Sequence, residues 1–114
     1  MCQGLSTAPG EIYLEASVQP TSVRTGDPLT ITALLENKTA EADCVTLTIS
    51  LSKDGSPLRP FTVFLKIGPE EKLAHSLTKA LPTFMPAGAY EVILDVQSSR
   101  GGTDYIALSL KVTP

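Results

Sequence analysis

Hydrophobic and polar residues alternate along most of the chain, from Glu11 onward. A period of two is the pattern of β-strands, because successive side chains of a strand point to opposite faces of the sheet. Seven segments show it, with their first apolar residues at Ile12, Leu29, Val45, Phe61, Leu73, Tyr90 and Ile106. Val23 lies between turn residues and would add an eighth strand if it pairs separately. The pattern therefore predicts seven to eight strands, each with one apolar face.

The segment from Leu73 to Leu81 is ambiguous, because Leu73, Leu77 and Leu81 also fit the spacing of a helix. Ser76, Thr78 and the neighbouring strand patterns favour a strand instead. We therefore expect a strand over this segment.

Turn residues separate the predicted strands at intervals of about 8–12 residues. Asp54-Gly55 is the clearest hairpin turn, because the pair readily adopts positive φ angles. Pro57 and Pro60 confine the start of the strand around Phe61 to a sheet edge or an irregular position, since proline cannot donate to a strand ladder. Regular short strands without a confident helix predict an all-β fold. We expect an immunoglobulin-like antiparallel β-sandwich, in which two sheets share one core.

Composition excludes several classes of protein. The 114 residues are 42% hydrophobic and 18% charged, which is too apolar for a disordered chain. A net charge of −3 argues against nucleic-acid binding, which needs a basic face. No apolar run approaches the about 18 residues that indicate a transmembrane helix. Because the chain lacks Trp, it also lacks the Trp that packs between two cysteines in antibody domains.

Residues that could carry catalysis are sparse. The only histidine is His75, and no nucleophile elbow, metalloprotease motif or phosphate loop occurs in the chain. One histidine and two separated cysteines cannot complete a zinc site. The aspartates near strand ends do not form the repeat with which calcium loops concentrate their ligands. We therefore predict no catalytic residue, no metal site and no cofactor, and a protein that is not an enzyme.

The first ten residues are mostly small and include one of the two cysteines. If Met1 stands where a signal peptide was removed, Cys2 would be the first mature residue of a bacterial lipoprotein and its lipid attachment site. An arbitrary or cytoplasmic start is the other interpretation. Cys44 fits a half-buried strand position, and a disulfide between Cys2 and Cys44 stays open. We predict a flexible tether over residues 1–10 and a single sandwich domain over residues 11–114.

Two aromatic residues are candidates for a ligand face. Tyr13 and Tyr105 lie on the outward phase of their predicted strands, where aromatic rings can stack on sugars. Covering neighbouring aliphatic side chains is the alternative role for both. The triplet Asn37-Lys38-Thr39 matches the N-glycosylation pattern in a loop that we expect to be exposed, although a chance match explains it better.

Three segments resemble a known family. In residues 23–37, a Gly-Asp-Pro turn leads into a long strand that ends at Asn37. The hairpin over residues 51–55 and the Pro-x-Gly-x-Tyr segment over residues 86–95 complete the pattern. They are similar to the CARDB-type (cell-adhesion-related) domains of bacteria and archaea. The resemblance implies an extracytoplasmic domain that serves as a spacer or adhesion module beside a catalytic or anchoring partner, without catalytic residues of its own.

These observations lead to one main hypothesis and two rivals. The main hypothesis is a non-catalytic immunoglobulin-like adhesion, spacer or protein-interaction module of a secreted or surface-attached prokaryotic protein. Its partners would be other proteins or neighbouring domains of the same parent chain, with a lipid anchor if Cys2 is modified. The first rival is a small-ligand or glycan-binding accessory module that uses Tyr13 and Tyr105. The second rival is a subunit that pairs with a partner through an exposed edge strand.

Overall fold

The computed structural model describes residues 9–53 and 56–114, and within them the chain forms eight strands and no helix. The strands are β1 Ile12–Gln19, β2 Ser22–Arg24, β3 Pro28–Asn37, β4 Asp43–Lys53, β5 Ser56–Ile67, β6 Lys72–Ala80, β7 Gly88–Ser98 and β8 Thr103–Thr113. One sheet has the order β1-β3-β6 and the other the order β2-β8-β7-β4-β5. All neighbours are antiparallel except the short β2, which is parallel to β8. The predicted all-β sandwich is confirmed.

The segment with ambiguous periodicity is strand β6. It pairs with β3 along its whole length, so that Leu73 lies opposite Leu35 and Leu77 lies opposite Ile31. Since Leu35 and Ile31 are buried in the core, their partners on β6 also face inward. A spacing of four residues places side chains on one face of a strand as well as of a helix, and strand pairing decided between the two.

The core lies between the two sheets and is formed by the apolar phase of nearly every strand. Among its completely buried members are Ala33, Leu35, Leu47, Ile67, Val92, Leu94 and Val96. Sheet-on-sheet packing of alternating strands explains this arrangement, because each strand contributes every second side chain to one shared layer.

Two predicted turn features can be compared with the structure. Gly26 has a φ of +88°, a conformation that glycine adopts without strain, and it lies in the predicted turn before β3. The Asp54-Gly55 turn falls outside the described residues, but Lys53 and Ser56 on either side of it are cross-strand partners. Pro57 and Pro60 lie on β5, which is an edge strand as expected.

The two long sides of the sandwich differ. On one side β1 packs along β8 and β7. On the other side the loop over residues 68–71 joins β5 to β6. The inward side chains of these two strands become more exposed with increasing distance from this loop. On β5, Ile67 is buried, Val63 is half-buried and Phe61 is 38% exposed; at the far end of β6, Lys79 is exposed. The sandwich is therefore closed on the β1 side and open between β5 and β6.

The chain enters and leaves the sandwich at opposite ends. The amide of Gly10 donates a hydrogen bond to the Arg100 carbonyl at 3.0 Å, just before β8 begins, whereas the amide of Thr25 bonds the Thr113 carbonyl at 3.0 Å, where β8 ends. A Cβ on Gly102 would lie 2.7 Å from the Gly10 carbonyl oxygen, so this close approach requires glycine. The Cα atoms extend 49 Å along the long axis and 22 and 21 Å across it.

Candidate functional site

Tyr13 lies on the outer face of the three-stranded sheet and is 43% exposed. Its hydroxyl donates a hydrogen bond to Glu15 Oε1 at 2.9 Å, and Lys38 Nζ lies 5.4 Å from the centroid of its ring. The pKa of Tyr13 is raised, first by this hydrogen bond, then by the charge of Glu15, and further by burial and by the charges of Asp104 and Glu36. The hydroxyl and the ring of Tyr13 thus already contact the charged side chains of Glu15 and Lys38.

Tyr105 lies on the outer face of the five-stranded sheet and is 60% exposed. Its cross-strand partner is Asp95, and Thr48 of β4 follows in the same row. The outer faces of the two sheets point in opposite directions, so the structure does not bring Tyr13 and Tyr105 together into one surface. A ligand face that includes either ring stays a prediction.

A polar cluster that sequence reasoning missed lies at the end of the sandwich where the chain enters. We call its members the end cluster: Asn37, Thr39, Glu41, Asp43, Ser98, Ser99 and Arg100. It joins the connection between β3 and β4 to the connection between β7 and β8. Local turn chemistry is the sequence signal that could have suggested it, because Asn, Ser and Thr side chains often bond the backbone of their own turn.

Asp43 is the buried anion of the end cluster, with no exposed surface. Its Oδ1 accepts hydrogen bonds from the Cys44 amide at 2.7 Å and from the Ser99 hydroxyl at 2.9 Å, while its Oδ2 accepts one from the Ser98 hydroxyl. Arg100 Nε lies 3.6 Å from Oδ2. A buried carboxylate is stable only when such bonds and an opposite charge replace its hydration. Asp43 therefore holds the β7–β8 connection in place.

Arg100 connects three segments through its side chain, which is only 3% exposed, and its backbone carbonyl. Its Nη2 donates to Thr39 Oγ1 at 2.6 Å and to the Glu41 carbonyl at 3.0 Å, and its Nη1 lies 3.4 Å from Glu41 Oε2. Its own carbonyl accepts the bond from Gly10. Because a guanidinium offers five donors in a fixed plane, one arginine can bond several acceptors at once.

Asn37 is completely buried, whereas Lys38 next to it is exposed. The expectation that the glycosylation triplet is exposed is therefore wrong for the residue that would carry the glycan. Its Nδ2 donates to the carbonyls of Glu41 at 2.7 Å and Gly68 at 2.9 Å. Its Oδ1 accepts bonds from the Thr39 amide at 3.0 Å and the Thr39 hydroxyl at 2.9 Å. The Asn-x-Thr pattern here forms a turn, and the nitrogen that a glycan would need is used inside the fold.

An apolar crevice between the two sheets opens on the β5–β6 side and has a volume of 330 Å³. The residues that line it are Leu29, Ile31, Ile49, Ser50, Leu51, Pro60, Phe61, Leu77, Lys79, Ala80, Leu81 and Pro82. At its mouth Lys79 Nζ lies 5.3 Å from the centroid of the Phe61 ring, so that a cation–π contact spans from β6 to β5. The crevice is a second feature that sequence reasoning missed, although His75 and Lys79 on the apolar phase of β6 signal an incompletely buried strand face.

The histidine and the cysteines are the remaining candidates for chemistry, and the described part of the chain places none of them in a catalytic group. His75 is half-buried on the inward face of β6, opposite Ala33. Cys44 is buried and takes part in a disulfide bond. Cys2 lies outside the described residues, so lipid attachment there stays a prediction, as does the boundary between a tether over residues 1–10 and a domain over residues 11–114.

The described ranges 9–53 and 56–114 contain neither a metal-binding cluster nor a membrane-spanning helix. No three His, Cys, Asp or Glu side chains gather there in a group that could hold a metal ion. Nor does that part of the chain contain a helix with the length and hydrophobicity needed to cross a membrane.

Comparisons with known proteins find proteins of similar structure. No family model and no curated protein matches the sequence. The sporulation control protein Spo0M from Bacillus subtilis superposes with a TM-score of 0.71 at 18% identity, over 92% of this chain and 50% of that one. A beta-glucosidase from Listeria innocua matches with a TM-score of 0.69 at 15% identity, over 92% of this chain and 16% of the enzyme. The chain thus spans half or less of these two proteins.

The structure of a separate domain gives the most direct comparison. The CARDB domain of the PF1109 protein from Pyrococcus furiosus, solved in complex with di-metal ions, superposes with a TM-score of 0.67 at 13% identity. The match covers 91% of this chain and 89% of that domain. At such identities the likeness concerns the fold alone. The chain therefore has a CARDB-like fold, an all-β sandwich of two sheets.

Proposed function

We propose that the chain is a non-catalytic immunoglobulin-like module of a larger secreted or surface-attached protein, in which it acts as a spacer between neighbouring domains. The observation that carries this proposal is the position of the two ends. The chain enters beside Gly102 and leaves beside Thr25, at opposite ends of a body 49 Å long. Domains joined at both ends would be held in series, which is the geometry of a spacer.

The use of the buried polar groups supports a structural role. Asp43 and Arg100 bond each other's loops, and Asn37 closes the turn after β3. An active site needs a nucleophile, a base or an electrophile that faces a cleft. The polar side chains of the end cluster instead form hydrogen bonds with the backbone and with neighbouring side chains.

The comparisons support a domain within a longer chain. The match covers 50% of Spo0M and 16% of the beta-glucosidase, so a sandwich of this kind occurs there beside other structure. Identities of 18% and 15% support a shared fold only, so the functions of Spo0M and the beta-glucosidase say nothing about the function of this chain.

An extracytoplasmic location is part of the proposal. The CARDB-like fold supports it, as does the disulfide at Cys44, because disulfides persist in oxidising compartments. Cell fractionation with surface biotinylation tests the location, and recovery of the native protein from the cytoplasm alone would refute it. Cys2 can carry a lipid or form a disulfide with Cys44, but one sulfur cannot do both. Intact-mass spectrometry of the native protein distinguishes the two modifications.

The spacer role is tested by exchange in the native gene. Replacement of residues 11–114 by an unrelated β-sandwich of the same end-to-end length should preserve the activity of the parent protein, whereas deletion should reduce it. If the replacement fails as badly as the deletion, a specific surface of this domain is needed and the spacer role is wrong. Turnover of a substrate by the isolated domain would contradict its non-catalytic character.

Glycan binding is the second candidate function, favoured by the exposure of Tyr105. Its ring is 60% exposed and its row on the sheet continues through Asp95 and Thr48, which offer hydrogen-bonding groups beside an aromatic surface. A glycan array tests this role. Binding that is lost in Tyr105→Ala and kept in Tyr13→Ala would support it, and an array without binding would exclude it.

A further inference from the structure

The inter-sheet crevice has features of a binding site that a spacer does not require. Apart from His75 and Lys79, the inward side chains of β5 and β6 are apolar, yet Val63, Leu65, Leu73 and Leu77 remain half-buried. A folded chain normally covers such side chains, and exposed apolar clefts tend to mark binding surfaces. The crevice volume of 330 Å³ lies at the lower end of the range of ligand pockets, about 300–1,000 Å³.

The shape of the crevice selects the type of group that fits. Its walls are the inner faces of two sheets, and its lining is mainly aliphatic, with leucine and isoleucine from β3, β4 and β6. Packed sheets are about 10 Å apart including their side chains, so a helix of about 10–12 Å diameter does not fit between them. A sugar would leave its hydroxyl groups without partners on these walls. An extended aliphatic chain meets neither obstacle.

The charge at the mouth selects the head group. Among the described lining residues Lys79 is the one with a charge, and no carboxylate accompanies it. Its Nζ lies 5.3 Å from the centroid of the Phe61 ring. A cation–π contact at an exposed site is weak, so the ammonium group can turn to an anion at the mouth without a large loss. An amphipathic ligand with a negative head group complements both the walls and the rim.

We propose that the crevice binds a free, monomeric amphipathic carboxylate, with its aliphatic tail between the sheets and its carboxylate paired with Lys79. The proposal does not depend on the spacer role, because it concerns one side of the domain and not its ends. Isothermal titration and amide chemical-shift mapping with decanoate test it directly. Decanol and decylamine, which have the same tail and different head groups, are the matched probes. Decanoate and decylamine are used below the concentrations at which they form micelles, and decanol below its solubility limit.

In the unmodified chain we expect decanoate to shift the amides of crevice residues such as Ile31, Leu51 and Leu77. It should bind about threefold to fivefold more tightly than decanol, as for a partly exposed ion pair. Decylamine should bind more weakly than decanol, because its charge repels Lys79. Equal affinities for the three probes, or shifts confined to other surfaces, would refute the proposal.

Three variants separate head group from tail. Lys79→Ala should lose the preference for decanoate over decanol while its affinity for decanol stays unchanged. Lys72→Ala is the matched control, because Lys72 lies on the outer face of the same strand, opposite Glu36, and should behave like the unmodified chain. Leu77→Trp should fill the crevice and weaken all three probes, with circular dichroism to verify that the variant folds.

Two results would overturn specific parts of the proposal. If Lys79→Ala weakens decanol as much as decanoate, Lys79 supports the crevice and does not bind a head group. If the protein sediments with phosphatidylglycerol vesicles but does not bind monomeric decanoate, the surface recognises a lipid bilayer and the free carboxylate is the wrong ligand.

Discussion

The carboxylate of Asp104 accepts a hydrogen bond from the backbone amide of Leu14 at 2.8 Å and thereby joins the two sheets along the closed side of the sandwich. Asp104 belongs to β8 and Leu14 to β1, strands that lie in different sheets. No strand ladder links them, so a side chain supplies the acceptor that the amide needs. The open side between β5 and β6 has a cation–π contact in the corresponding place, which is weaker and easier to displace.

Removal of the Asp104 carboxylate should therefore destabilise the fold. Asp104→Ala leaves the Leu14 amide without its partner, and a hydrogen bond to a charged group contributes about 1.5–3 kcal/mol. Urea unfolding measures the loss. Asp95→Ala is the control, since Asp95 lies half-buried on the outer face of the adjacent strand and should change stability by less than about 0.5 kcal/mol. Equal effects of the two substitutions would show that the bond between the sheets contributes nothing.

Asn37 should be more important for stability than its place in a glycosylation triplet suggests. Asn37→Ala removes both donors and the acceptor from a completely buried position. The Thr39 amide loses its acceptor, and the carbonyls of Glu41 and Gly68 each lose one of their hydrogen bonds. We expect a loss of about 2–4 kcal/mol in the free energy of unfolding. Lys38→Ala next to it alters a surface ion pair with Glu36 and a cation–π contact with Tyr13, and it should cost about 1 kcal/mol or less. A smaller loss for Asn37→Ala than for Lys38→Ala would contradict the role of the turn.

Asp43 and Arg100 should be energetically coupled. Removing one partner of a buried ion pair costs about 3–5 kcal/mol, so Asp43→Ala should destabilise the protein strongly. Arg100→Ala should cost less in the Asp43→Ala background than alone, with a coupling energy of about 0.5–3 kcal/mol. Chemical unfolding of the two single variants and the double variant completes the cycle. Additive effects would mean that the two side chains act independently.

Tyr13 should ionise at higher pH than an ordinary tyrosine, whose pKa is 10.0, because Glu15 holds its proton. The folded chain then keeps a proton that the unfolded chain releases. The stability contributed by this bond is complete below the ordinary pKa and is lost as the pH rises through the raised one. Glu15→Gln should lower the pKa of Tyr13, which the ring carbon signals report in an NMR titration, with Tyr13→Phe for assignment. Glu11→Gln is the control, and an equal decrease there would exclude a specific effect of Glu15.

Much of the fold could be predicted from the sequence because strand alternation and turn chemistry are local properties. The strands around Ile12 and Leu29 and the turn at Gly26 lie where the pattern places them. The candidate site was less predictable. Asn37 looked like an exposed loop residue, yet it is buried because the loop after β5 provides the carbonyl of Gly68, 31 positions further along the chain. Such long-range contacts leave no mark on local periodicity.

The tyrosines and the crevice illustrate the same division. Alternation assigned Tyr13 and Tyr105 to outward phases, and both are exposed. It could not assign them to the outer faces of different sheets, because a strand pattern does not identify its neighbours. Nor could it reveal that β5 and β6 stand apart while β1 and β8 meet.

The sequence by itself determined the class of this protein, because its turns and alternating apolar positions predict a β-sandwich, and it contains no familiar catalytic motif. Only the tertiary structure decided how the strands divide into sheets of three and five, which polar side chains are buried, and on which side the sandwich stays open. The physical reason is that apolar alternation specifies which face of a strand leaves water, whereas the partner that covers this face depends on contacts between residues distant in the chain.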